Sequence, residues 1–270
     1  MKNIYKGLSF FLLIFILVSC KGEEKAPVET SPTTAIEETE EKEDEVEKDN
    51  DIDTEEEKDS EVSAEEVVEQ LVSASSQVNG LKNKNIFSVD DKTKEVVQRM
   101  DGEGEFDPKT GDILKGTYQI EDSDGTSQKI EFVGDEESTL IVEKKEANGE
   151  STKDISNGGE YFVNPNYFEL VDIINSLKGD LVVEDEGSSY KLTLRSQNVD
   201  LYGLFQESYS LKFKNFTQNE AEKHLEVKID KESKLMESLI LTFTVDDEEK
   251  GYINLEADSK FEDFKVGDSV

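Results

Sequence analysis

The chain has 270 residues, 65 of them acidic and 30 basic, for a formal net charge of −35. A surface so poor in clustered Lys and Arg excludes nucleic acid as a partner, and it excludes electrostatic adhesion to anionic lipid headgroups. One cysteine, Cys20, and one histidine, His224, exclude a disulfide within the chain and metal sites built on Cys and His.

Lys2 and Lys6 precede an almost uninterrupted apolar run from Leu8 to Val18. About 11 residues are too few to span a bilayer as a helix, and they match the apolar core of an export signal. The run closes on Leu17-Val18-Ser19-Cys20, which resembles the lipobox of bacterial lipoproteins. The resemblance implies cleavage after residue 19 and a diacylglyceryl group on the Cys20 thiol. It also implies a lipid-anchored location on the extracytoplasmic face of a cell membrane, of Gram-positive type. Two acyl chains give stable attachment where one would be marginal. A plain signal peptide and an uncleaved N-terminal anchor are the alternatives for the same run.

From residue 21 to 60 the chain holds 18 acidic and 5 basic side chains, with Pro27, Pro32 and almost no large apolar residue. Such a segment cannot bury enough surface to offset its ordering entropy, so disorder is expected, extended by like charge. It is either a spacer or a solvated tail. The predicted organisation is a signal peptide over 1–19, lipidated Cys20 with an acidic linker over 20–61, and a β-rich domain over 62–270.

At Val62 the composition changes. Ser63 and Glu66 stand at capping-box spacing, with Val62 and Val67 at the positions of a hydrophobic staple. Val67, Val68, Leu71, Val72 and Val78 make one apolar helix face, and Asn79-Gly80 is read as its end. Beyond it the hydrophobic period falls to two. Val96, Met100 and Phe106 share a strand face with Gly102 and Gly104, before a turn at 107–111. Leu114, Tyr118 and Ile120, then Ile130 and Phe132, then Leu140 and Val142 continue an antiparallel meander, with turns at Asp124-Gly125 and Asn148-Gly149. Asn164-Pro165 predicts a helix start, cap followed by first-turn proline, for an apolar segment running to Leu177 and stopped at Gly179. A weaker helix is expected near Asp200 to Gln206. Strands are expected over 181–184 and 190–194, at Tyr209, Leu211 and Phe213, and then as a clear trio: Leu225 to Ile229, Leu239 to Val245, and Ile253 to Ala257.

This order of elements, with the closing stretch from Leu225 through Leu235 to Phe261, resembles Gram-positive lipoproteins related to the LolA, LppX and LprG carriers. The resemblance implies an α+β fold, a curved antiparallel sheet forming an open half-barrel with helices on its concave face. It also implies a non-enzymatic role in which a hydrophobic or lipid-like ligand lies between sheet and helices. No site residue transfers from the family, and no cofactor is implied.

Read from the residues alone, Gly102 and Gly104 between Met100 and Phe106 either leave room for a ligand or mark a bulge or bend. Tyr167, Phe168, Val171, Ile174 and Leu177 either line a pocket facing that gap or are core. His224 falls on the face opposite Leu225, Val227 and Ile229, with Glu222 and Glu226 beside it, and lacks the nucleophile that catalysis would need. Asp101, Glu103, Glu105, Asp107 and Asp112 have calcium-loop spacing, but Phe106 stands where glycine is required. Two functions follow: a carrier or sensor of a hydrophobic ligand, or a structural or protein-interaction module with a filled core, its protein partner unspecified.

Overall fold

The computed structural model describes residues 62–158, 161, 163–209, 211, 217–247 and 251–267. Cys20, the lipobox, the acidic segment and Phe213 lie outside them.

Helix α1 (Ala64–Ser75) starts as its sequence predicts: the Ser63 hydroxyl accepts from Glu66 N–H, and the Glu66 carboxylate accepts from Ser63 N–H. The two bonds satisfy donors that a helix N-terminus otherwise leaves orphaned. Val67, Val68 and Leu71 are fully buried, each contributing roughly 1.5–3 kcal/mol as an upper bound. The helix ends at Ser75, before the predicted stop. Val78, Asn79 and Gly80 already belong to β1 (Val78–Asp90). A side chain at Gly80 would come 2.9 Å from Lys265 Cδ, so that glycine permits close strand approach and does not cap the helix.

Among the described residues eleven strands form one antiparallel sheet. From β1 the chain meanders outward through β2 (Glu95–Phe106), β3 (Ile113–Asp122), β4 (Ser127–Phe132), β5 (Thr139–Lys145) and β6 (Ser151–Asn157). It crosses through α2 (Tyr167–Ser176) to the far edge. There it returns inward through β7 (Leu181–Asp185), β8 (Ser189–Leu194), α3 (Leu201–Phe205), β9 (Glu222–Asp230), β10 (Met236–Asp247) and β11 (Gly251–Val266). The spatial order is β6-β5-β4-β3-β2-β1-β11-β10-β9-β8-β7, which puts β1 in the middle. The edges β6 and β7 are not paired with each other, so the sheet is a curved half-barrel, open rather than closed, with the helices against its inner face.

Residues directly opposite in an antiparallel ladder share a face. The registers carry one inward face across the sheet: Val89 lies opposite Leu255, Leu255 opposite Phe243, and Phe243 opposite Lys223. The outward face is charged, with Lys82–Asp263, Lys84–Glu262 and Lys153–Glu143 pairs at 2.6, 2.6 and 2.8 Å. All are solvent-exposed, so they fix little beyond solubility.

Three further predicted details differ. Helix α2 is capped by Asn166, whose side chain accepts from Phe168 N–H at 2.9 Å; Asn164 instead forms a cis peptide with Pro165. Tyr209 sits in the turn after α3 rather than in a strand, because its ring packs inward on Phe205 at 6.1 Å. Leu114 is 56% exposed: a register irregularity between Glu105 and Phe106 in the pairing with β3 breaks the alternation beside it.

Candidate ligand-binding face

The inward face is read best in rows across the strands. One row holds Asn83, with Gly102 and Phe261 as its two neighbours, and continues from Gly102 to Tyr118, Ile130 and Val142. The next holds Asn85, with Met100 and Ile120 on one side and Ser259 and Leu239 on the other. In the β2–β5 half, Met100, Tyr118, Ile130, Phe132, Leu140 and Val163 form one buried cluster, with Ile113, Ile120, Val142 and Tyr161 packed against it. Tyr118 meets Phe132 edge-on at 6.2 Å, and Phe132 meets Tyr161 at 5.8 Å.

The predicted contact residues fall into two groups. Met100, Gly102, Gly104 and Phe106 do share the inward face of β2, as alternation requires. The space left by the glycines is taken by the chain itself. A Cβ at Gly102 would lie 2.1 Å from the Tyr118 ring, and one at Gly104 would lie 2.5 Å from the Tyr118 hydroxyl. Neither glycine is a bulge, since pairing with both neighbours is uninterrupted through them. Burial pushes the Tyr118 phenol well above its ordinary pKa.

On α2 and at its C-cap, Tyr167, Val171, Ile174 and Leu177 are buried. The Tyr167 ring packs on Phe261 at 5.0 Å and Phe264 at 5.4 Å, and its hydroxyl lies 3.0 Å from Ser75 Oγ and accepts from Met236 N–H at 3.4 Å. Burial pushes that phenol up to about 12, with the two hydrogen bonds opposing the shift. Phe168 is half-buried and meets Phe106 edge-on at 5.5 Å, the one ring contact that joins the two predicted groups.

Sequence reasoning missed the polar residues of the inward face. Asn83 and Asn85 are each only 6% exposed, and Asn83 Oδ1, Asn85 Oδ1 and Asn85 Nδ2 have no hydrogen-bond partner among the described residues. Beside Asn85, the hydroxyl of fully buried Ser259 is 2.8 Å from that of Tyr209, whose phenol burial also holds well above its usual range. The available signal was the alternation Leu81, Asn83, Asn85, Phe87, Val89, which has strand period with amides at two inward places.

Glu169 on α2 is half-buried. Desolvation raises its carboxyl above the ordinary range, the Ser208 hydroxyl opposes that, and Glu207 and Asp172 add to it. His224 is exposed on the outward face, opposite Thr242. Asp101, Glu103 and Glu105 are strand residues of that face rather than a loop; Glu105 pairs with Lys265 at 3.0 Å. Among the described residues no group of acidic, Cys and His side chains could hold a metal ion.

Among the described residues two hollows stand out, and neither gathers the predicted set. One of about 670 Å³ is bordered by Ser176, Leu177, Asn198, Asp200 and Gly203. The other, about 440 Å³, is bordered by outward Lys82, Glu103, Glu105, Lys115 and Glu131 and also by inward Leu81, Phe132 and the predicted Gly104.

No family model matches the sequence, and no curated protein matches it. Solved structures with a similar fold include LprF from Mycobacterium bovis, at 9% identity and a TM-score of 0.38, covering 77% of this chain and 94% of that one. MucB in the Pseudomonas aeruginosa MucA/MucB complex is 12% identical with a TM-score of 0.29, and the chain spans only 58% of its length against 77% of its own. A LolA-superfamily protein from Nitrosomonas europaea is 10% identical at a TM-score of 0.26, with 78% and 96% covered. Likeness at this level is confined to the fold.

Proposed function

We propose that the protein is a membrane-anchored extracytoplasmic lipoprotein that binds or carries a hydrophobic, lipid-like ligand on the inner face of its half-barrel, without catalysis. The observation that carries this is the cover of the β2–β5 face. Among the described residues, the buried cluster Met100, Tyr118, Ile130, Phe132 and Leu140 is roofed by Val163 and Tyr161 of the β6–α2 connection, not by a helix. An apolar face under an irregular connection can be uncovered at less cost than one under packed helices. The anchor rests on the lipobox-like Leu17-Val18-Ser19-Cys20, and the acidic segment before Val62 supplies reach.

Native mass spectrometry of the gently extracted full chain is expected to show co-purifying lipid, and the purified protein is expected to take up a fluorescent fatty acid. Absence of both sinks the proposal. Cys20→Ser is expected to move the protein from the membrane fraction to the medium; retention in the membrane would refute the anchor.

The second reading, an interaction module with a filled core, is favoured by Tyr118 lying over Gly102 and Gly104. Capture of a specific protein by a lipid-free chain would support it.

A further inference from the structure

At β6 the sheet ends on an edge whose backbone is half-bonded. Glu146 N–H donates to Glu150 O at 2.8 Å and Gly158 N–H donates to Ser138 O at 2.7 Å, which fixes the phase of the β5–β6 ladder. Hydrogen-bonded and non-bonded pairs alternate along an antiparallel ladder, so Thr152, Asp154 and Ser156 bond to β5. Ser151, Lys153 and Ile155 turn their N–H and C=O groups away from it. No described strand lies on that side, and all three residues are exposed. The opposite edge differs: the Leu181 C=O of β7 accepts from Arg195 Nη2 at 3.0 Å, and α1 packs beside that strand.

The side chains of β6 define the strand that completes it. Asp154 stands opposite Val142, at the end of the inward row Tyr118, Ile130 and Val142, where an apolar residue would continue the face. Lys153 is on the other face and pairs with Glu143 at 2.8 Å, and Asp154 has no ion pair among the described residues. A charge pointing inward on an edge strand works against unwanted pairing, and its sign decides which strands it turns away. Apolar and acidic strands are refused; a basic one is not. From Asp135 to Asn157 stand seven acidic and three basic side chains, so the surroundings select in the same direction. On the outward face Ile155 lies opposite Ile141 and is 66% exposed, more than any other large apolar residue described. A second copy of the chain is a poor occupant. Antiparallel self-pairing centred on Lys153 or Asp154 sets like charges directly opposite, and every register joins two acidic edges.

We propose that β6 takes up an extended segment of a partner protein as a further strand, with a basic side chain opposite Asp154 and an apolar one, adjacent to it in sequence, opposite Ile155. Backbone bonds from Ser151, Lys153 and Ile155 supply attachment, and the two side-chain positions supply choice. The assignment does not depend on a ligand at the inner face.

The test uses the full chain bearing Cys20→Ser and two fluorescent seven-residue peptides, one alternating valine with arginine and one alternating valine with glutamate, read by anisotropy. The arginine peptide is expected to bind about tenfold tighter. Asp154→Lys changes the net charge of −35 by only about two, yet it is expected to cut that preference to about threefold or less. Ile155→Pro removes an N–H that faces away from β5 and spares the ladder, so it is expected to weaken the arginine peptide about tenfold. Should the proline variant not fold, amide exchange in the parent chain serves instead. The arginine peptide is then expected to slow Ser151, Lys153 and Ile155 and to leave Thr152 and Asp154, already bonded to β5, unchanged. Equal binding of the two peptides, binding of neither, or no slowing of those three amides overturns the proposal. An arginine peptide indifferent to both substitutions assigns its binding to overall charge and overturns it too. So does a dimer of the parent chain in sedimentation that Ile155→Pro dissolves, which gives the edge to a second copy.

Discussion

In β9 and β10 the inward side chains Leu225, Val227, Leu239, Leu241 and Phe243 are all 0% exposed, and α2 and the turn after α3 send Tyr167 and Tyr209 onto β11 in front of them. In β3–β5 the same face mixes buried Tyr118, Ile130 and Leu140 with half-buried Ile113, Ile120 and Val142. Beyond it the edge strand β6 is exposed at every residue. The first half is a finished core of sheet and helix. The second is a sheet face covered by Val163 and Tyr161 of the β6–α2 connection. Both obey the same alternation of side chains, so what separates them is what lies opposite the face. The proposed binding site is assigned to the half whose face lies under a connection rather than under packed helices.

The sharpest way to break this comparison is to make one cavity in each half. Leu241→Ala should cost about 3–5 kcal/mol and unfold the domain as a unit, because helix and sheet around it cannot collapse. Leu140→Ala should cost about 2 kcal/mol and raise amide exchange in β4 and β5 while leaving β9–β11 protected. Urea titration with hydrogen exchange checks both; equal, global losses would mean the halves are one core.

Next in size is Gly102→Ala. The added methyl meets the Tyr118 ring, so destabilisation of about 1–3 kcal/mol is expected, falling to a few tenths once Tyr118→Ala is present. A double-mutant cycle by denaturant melting reads the difference, and additivity would show that the ring is not what fills the gap.

The smallest effect concerns Glu169, in the helix-covered half. Its carboxyl is raised in the folded protein, so the fold binds its proton more tightly than the unfolded chain. Stability from this group is therefore present at low pH and lost as pH rises from the ordinary glutamate range through the raised value. Glu169→Gln should gain in melting temperature relative to the parent between pH 4 and pH 7. A constant difference across that window would contradict the shift.

The two halves also differ in how far their sequences disclose them. β9, β10 and β11 are plain because every second residue is apolar and the turns between are charged. The hairpins at Asp124-Gly125 and Asn148-Gly149 and the Ser63 cap are local chemistry and read directly. β1 escapes because Asn83 and Asn85 occupy inward places where alternation promises apolar side chains, and only pairing with β2 and β11 makes it a strand. Gly102 and Gly104 are legible as missing side chains, but which ring fills the space depends on the register of β3, set by contacts distant in sequence. The same holds for Asn166 replacing Asn164 as cap: both are good capping residues, and packing of Phe168 on Phe106 accompanies the later start.

The pairing of β1 with β11 has a mechanical consequence. The chain enters the sheet from α1 at Val78, opposite Val266, and β1 is hydrogen-bonded along both sides. Tension applied through residues preceding Val62 meets α1 first; once that helix is pulled away, it runs along the length of the central strand and loads its ladders to β2 and β11 together, in shear. An edge strand under the same pull would peel one bond at a time. A domain held by that end in moving fluid is gripped through the strand hardest to strip.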